Sequence, residues 1–191
     1  MLKEFTGADS KVVDVARRFP PDVIEPQALN WQRDGGLPRE FFLLAAEHGL
    51  CGLLVPRELG GLGVSNITLA AVLAEMANSC FATTFALVVH NNQASNIAKN
   101  GDRSQQMVLP SMLAGEKIGA FLLTEPGAGS DAAAIATQVS TDTKFDVLNG
   151  QKAWITNGVV ADILSIYVQT KAGSGPAGIA NYLIDINAHS I

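Results

Sequence analysis

The chain has 191 residues, 13 basic against 18 acidic, for a formal charge of −5, and only 16% of its residues are charged. An acidic balance with no basic cluster beyond Arg17-Arg18 argues against a nucleic-acid ligand. Two cysteines, Cys51 and Cys80, are too few for a disulfide framework or a cysteine-based zinc site, so no metal is expected.

The most apolar stretches, 67–77 and 81–89, fall short of the ~18 residues a membrane helix needs. The first ten residues lack a signal-type apolar core and carry acids, which transit peptides avoid. The expected location is the cytoplasm, or the mitochondrial matrix if the source is eukaryotic. A mean hydropathy of +0.22 with so little charge is greasy for a lone soluble chain, whose surface usually carries about 25–35% charged residues. The surface is therefore expected to pack against another chain or a larger body.

In chain order, Val12, Val15, Ala16 and Phe19 recur at helical spacing, and Pro20-Pro21 is expected to stop or bend that first helix. Pro38 opens a second helix, with Phe41, Leu44, Ala45 and His48 on one face and Gly49 as its stop. A glycine-rich connection over 50–63 follows. Ser65 or Asn66 caps a third helix through Met76, apolar on nearly every side and so expected to be buried. Residues 81–92 read as a fourth helix, and Asp102 caps a fifth ending near Leu109, with a further turn from Pro110.

After Gly115 the pattern changes. Residues 118–124 form a short apolar run before a Pro/Gly break, as for a buried strand. The runs 144–148 and 151–155 flank Asn149-Gly150, the signal for a tight hairpin, since both turn residues tolerate positive φ. Residues 162–170 and 179–186 read as two more strands. The fold class is α+β, with a helical domain over 1–115 and an antiparallel, barrel-like β domain over 116–191 that looks unfinished at its C-terminus.

Two segments carry chemistry. In Phe121-Leu122-Leu123-Thr124-Glu125-Pro126-Gly127-Ala128-Gly129-Ser130-Asp131 a strand runs into a glycine-rich loop with hydroxyls at both ends. Glycines let backbone N–H groups approach an anion and Ser130 adds a donor, which suits a pyrophosphate, although a bland strand-end turn has the same pattern. Gly127-x-Gly129-x-x-Ala132 also matches the dinucleotide-binding glycine pattern, but that motif needs a long helix and a parallel strand after it. The β-branched, polar 137–143 stretch does not supply them. In Trp154-Ile155-Thr156, the indole and hydroxyl would share one face if the segment were a strand, able to stack on a planar ring and bond its edge. A structural tryptophan beside a strand-end threonine is the plain alternative.

Thr124-Glu125-Pro126-Gly127-Ala128-Gly129-Ser130-Asp131, followed by Asn149-Gly150-Gln151-Lys152-Ala153-Trp154-Ile155-Thr156-Asn157, closely resembles the paired flavin-site motifs of the acyl-CoA dehydrogenases. The run from Leu50-Cys51-Gly52 to Gly60-Gly61-Leu62-Gly63 and the segment Ala114-Gly115-Glu116-Lys117-Ile118-Gly119 are similar to that family as well. The resemblance implies FAD as cofactor and α,β-desaturation of an acyl-CoA, with a hydride passing to flavin N5. It implies that Phe121, Leu122, Leu123 and Thr124 border the flavin's pyrimidine side, and that Gly129 belongs to the cofactor loop. By the same resemblance Ser130 reaches the FAD pyrophosphate and the CoA part of the substrate, Trp154 and Ile155 lie against the isoalloxazine, and Thr156 bonds near N5. His90 would lie near the floor of the acyl pocket, whereas the residue alone reads as a helix histidine satisfied by backbone.

Family members are longer and carry their catalytic glutamate in a C-terminal helical bundle, so the resemblance implies no catalytic residue within these 191 residues. Glu125 and Asp131 sit in the flavin loop and are not assigned as the base. Electron-transfer flavoprotein or another acceptor and a homo-oligomer, dimer or tetramer, are the implied partners. The alternative is a non-catalytic flavin- or partner-binding subunit that depends on another chain for the base.

Overall fold

The computed structural model describes residues 7–141 and 145–188. The targeting-signal reading of residues 1–6 and the start of a strand at Lys144 lie outside the described residues. The chain divides into two compact units, Met1–Ile118 and Gly119–Ile191.

The first unit is helical: α1 (Ala8–Phe19), α2 (Ala28–Arg33), α3 (Glu40–Glu47), α4 (Asn66–Ala77), α5 (Phe81–Asn100), α6 (Arg103–Gln106) and α7 (Leu109–Leu113). α1 buries Val12, Val13, Ala16 and Phe19 and packs on α4, which in turn packs on α5. Pro20-Pro21 does not end the helical path. It continues as a π-helical turn over Pro20–Ile24, closed by Glu25 N–H donating to Pro20 O. Neither proline has an N–H to give to the α1 carbonyls one turn back, so the α-helical bonding lapses at Phe19 while the helical path goes on.

Of the two candidates for the α4 cap, Ser65 does it, its Oγ accepting from Thr68 N–H at 3.1 Å, and Asp102 forms a capping box with Gln105. α4 is not buried all round. Thr68, Val72 and Met76 form the one buried stripe, and Ile67 faces outward, because one layer of neighbours covers only one face. α5 runs well past residue 92, since its C-terminal half is also core: Gln93, Ala94, Ser95, Ile97 and Ala98 are buried. Buried Asn91 explains how the irregular 50–63 connection is held. Its Oδ1 accepts from Leu53 N–H at 2.8 Å and its Nδ2 donates to Leu50 O at 2.7 Å, satisfying backbone that no helix pairs.

The second unit holds β1 (Gly119–Leu122), β2 (Gln138–Thr141), β3 (Asp146–Asn149), β4 (Ile163–Gln169) and β5 (Ile179–Asp185) in one sheet. β5 pairs antiparallel with β4 along its whole length. The other edge of β4 is shared: β1 takes Ile163 to Ile166 in parallel, and β2 joins in parallel at Gln169. The sheet is therefore mixed and open rather than antiparallel and barrel-like. Parallel neighbours need a long crossover, and the chain between β1 and β4 supplies it.

The expected hairpin about Asn149-Gly150 is displaced by one segment. β3 pairs backward with β2, Val139 opposite Leu148, and residues 151–155 form no strand. The β-branched Thr137, Val139 and Thr141 make the preceding stretch a strand in its own right. Gly150 is not in the left-handed region. A Cβ there would lie 2.6 Å from Thr137 Cα, so glycine is needed for close approach and not for a turn.

Candidate functional site

The sequence segments singled out above come together on the outer edge of β1. Lys152 Nζ donates to Leu123 O at 3.0 Å and Ala153 N–H donates to Thr124 O at 3.0 Å. At the other end Asn157 Nδ2 donates to Gly119 O at 3.1 Å. The 152–157 segment therefore runs antiparallel to β1, tied at its two ends. Between the ties, no backbone hydrogen bond joins Trp154, Ile155 or Thr156 to Phe121, Leu122 or Leu123 among the described residues.

Those middle residues are not strand, so the premise that Trp154 and Thr156 share a strand face is wrong. The chain bows outward because Trp154 and Asn157 adopt left-handed backbone, at φ 59° and 65°. Asparagine tolerates this conformation; for tryptophan it is a strained choice. The tryptophan gains no burial in exchange, being 91% exposed. A large, solvent-facing aromatic held in strained backbone is not part of a core, and its ring faces are open to a planar ligand. Thr156 and Ile155 are half-buried beside it, and Phe121 is exposed with its ring tilted on Tyr167 at 4.8 Å.

The glycine-rich loop opens as a tight turn in which Glu125 and Ala128 exchange both backbone hydrogen bonds. Gly127, Gly129 and Ser130 are exposed, and a Cβ on either glycine would meet nothing within 4 Å. Asp131 caps the single 3-10 turn Ala132–Ala134, so no long helix follows the loop and the dinucleotide-fold reading fails in structure too.

Glu125 is the one acidic side chain of this loop turned inward. Its carboxylate accepts from Lys152 Nζ at 2.8 Å, Thr137 N–H at 2.9 Å, Thr137 Oγ1 at 2.5 Å and Ala136 N–H at 2.6 Å. Burial alone would raise its pKa, but the bonds from Lys152, Thr137 and Ala136 outweigh it and hold the carboxyl down at about 2. A carboxylate so saturated has no affinity for a substrate proton near neutral pH, in keeping with its not being a base. His90 is fully buried in the first unit, with Nε2 3.1 Å from Met112 O, and burial lowers its pKa to about 4. It is a core histidine bonded to backbone.

The residues present fit a flavin. An exposed indole, an outer strand edge left unpaired between two ties, and an open glycine turn with a serine hydroxyl match a planar ring carrying an anionic tail. Sequence reading missed Lys152, Thr137 and Asn157 as members of this arrangement. The available signal was a lone Lys and a lone Glu within two nearly uncharged motifs.

Two family profiles cover almost the whole chain: the N-terminal domain of acyl-CoA dehydrogenase matches residues 6–116 and the middle domain matches residues 120–190. Isobutyryl-CoA dehydrogenase, mitochondrial, of Dictyostelium discoideum is 34% identical over 172 residues, covering 90% of this chain and 41% of its own length. Butyryl-CoA dehydrogenase from Megasphaera elsdenii superposes with a TM-score of 0.88 at 25% identity, over 98% of this chain and 50% of that one. Glutaryl-CoA dehydrogenase of Mycobacterium smegmatis, solved with FADH2, gives 0.86 at 26% identity, over 96% of this chain and 46% of that one. The chain thus spans about half the length, or less, of these relatives. With both domain profiles matched in order and the helical and sheet units in place, this chain belongs to the acyl-CoA dehydrogenase family.

Proposed function

We propose that the protein is an FAD-dependent acyl-CoA dehydrogenase, an oxidoreductase acting on a CH–CH bond, and that these residues contribute the helical domain over 1–115 and much of the flavin site. The observation that carries the reading is Trp154: strained, exposed and tied opposite the edge of β1. When bound, FAD supplies the hydride acceptor for α,β-desaturation of the thioester. Trp154 and Ile155 would pack on its ring system, with the Thr156 hydroxyl donating to the ring edge. Backbone of Phe121, Leu122 and Leu123, with Thr124, would border the pyrimidine side. Gly129 and Ser130 would serve the pyrophosphate, and Ser130 the CoA moiety also.

Acyl-CoA is the proposed substrate, electron-transfer flavoprotein or a similar acceptor the proposed partner, and a homo-oligomer the proposed assembly. Exposed Phe81 and Phe85 on α5, stacked at 5.9 Å, support association. Among the described residues no helix is long and apolar enough to cross a membrane. The cytoplasm, or the matrix in a eukaryote, is the proposed location, and the mitochondrial name of the Dictyostelium relative supports the second case.

The test is an absorbance spectrum of the purified full-length protein before and after anaerobic addition of acyl-CoA esters. Bound flavin that bleaches with one ester class supports the reading. Stoichiometric NAD with no flavin would falsify it. Flavin that no ester bleaches favours the non-catalytic subunit.

A further inference from the structure

The Glu125–Lys152 pair sits behind the candidate site, and nothing in the proposed chemistry uses it. Both side chains are nearly inaccessible, at 6% and 8% exposed. A buried ion pair contributes little net stability compared with apolar residues of the same volume, so stability is a poor account of this one. What it does geometrically is specific. Glu125 belongs to the glycine turn, and its carboxylate also holds the start of β2 through Ala136 and Thr137. Lys152 belongs to the segment that carries Trp154, and its ammonium bridges that carboxylate and Leu123 O at the end of β1. One pair therefore joins three pieces of backbone two residues before the strained tryptophan.

We propose that Glu125 and Lys152 are positioning residues: their ion pair locks the glycine turn to the 152–157 segment and so holds Trp154 and Thr156 at the ring-binding edge of β1. A left-handed tryptophan persists only where its surroundings over-determine the backbone. On its N-terminal side that constraint is Lys152 on Glu125 and Leu123, with Ala153 N–H on Thr124 O; on its C-terminal side it is Asn157 on Gly119. Removing the Lys152 bonds leaves the N-terminal side held by the single bond from Ala153 N–H to Thr124 O. The role toward the ring rests on the flavin reading above, whereas the link between the segments does not.

The experiment uses the full-length protein with Lys152→Met, Glu125→Gln or both. In the flavin-free protein, amide exchange at Ala153 reports the link directly. It is expected to quicken about 10-fold in each single variant, with β4 amides unchanged. In the loaded protein the FAD Kd is expected to rise about 10-fold in each single variant and no further in the double, because the two act as one unit. The visible circular dichroism of bound flavin, which reads ring orientation, shifts alongside. Unchanged exchange at Ala153, or affinity losses that multiply in the double variant, overturn the proposal. If a lone buried charge unfolds the single variants, the uncharged double variant decides, and wild-type exchange and affinity there also overturn it. A wild-type protein that binds no FAD refutes the flavin reading alone, and the exchange data still settle the link.

Discussion

Gly150 passes Thr137 so closely that a Cβ built on it would lie 2.6 Å from the Thr137 Cα and closer still to Oγ1, the hydroxyl that donates to Glu125. The Asn-Gly pair thus serves the packing of the Glu125 carboxylate rather than a hairpin.

Gly150→Ala should therefore force Thr137 away and destabilise the protein by about 1–3 kcal/mol, the usual range for overpacking a tight site. Gly127→Ala, with open space around it and no left-handed backbone, should stay within about 0.5 kcal/mol. Urea melts of both variants check the contrast, and equal effects would refute it.

Trp154 should show opposite signs for stability and binding. Trp154→Gly relieves a left-handed backbone that costs about 1–2 kcal/mol for a side-chain-bearing residue, and the exposed ring has little burial to lose. The variant should melt no lower than wild type yet retain FAD at least about 10-fold more weakly. Thermal melts and flavin titration together test this.

Thr156→Ala should slow flavin reduction more than it weakens flavin retention, because one edge hydrogen bond worth about 0.5–1.5 kcal/mol is lost among many contacts. Rapid-reaction measurement of bleaching by substrate is the check, with a loss of up to about 10-fold expected. An unchanged rate removes Thr156 from its assigned role.

His90 sets a pH dependence. Its pKa falls from 6.5 to about 4 through burial, against smaller opposing bonds to backbone at Met112 and Cys51. The folded state therefore disfavours the charged form: above pH 6.5 there is no penalty, and stability declines as pH falls from 6.5 toward 4. Between pH 7 and pH 5 the loss should be about 2 kcal/mol at 1.36 kcal/mol per unit. His90→Gln should flatten that part of the profile in urea melts at the two pH values, and an identical slope would refute the assignment.

The exposed Phe81–Phe85 pair predicts self-association. Light scattering on the full-length protein should give a multiple of the monomer mass, and Phe81→Asp with Phe85→Asp should lower it. A monodisperse monomer that binds no hydrophobic dye would remove this face as an interface.

The local sequence was sufficient for what is local. Helical spacing places α1 and α3, Ser65 and Asp102 cap helices through bonds to their own following turns, and the apolar runs of β1, β4 and β5 are strands. The two motif segments were visible as ordered strings of residues, and they carried the family. Pairing was not legible, because hydrogen bonds between strands depend on contacts distant in sequence. The tertiary fold alone decided that β1 and β4 run parallel, that β3 turns back on β2, and that Gly150 is squeezed by Thr137. It also decided the backbone of Trp154. Period-two reasoning assumed a strand there, but the 152–157 segment is pinned to β1 only at its ends, and a length of chain pinned at both ends can bow between them. The burial of Glu125 with Lys152 follows from the same closure, since opposite charges 27 residues apart meet only once β1 and that segment lie side by side.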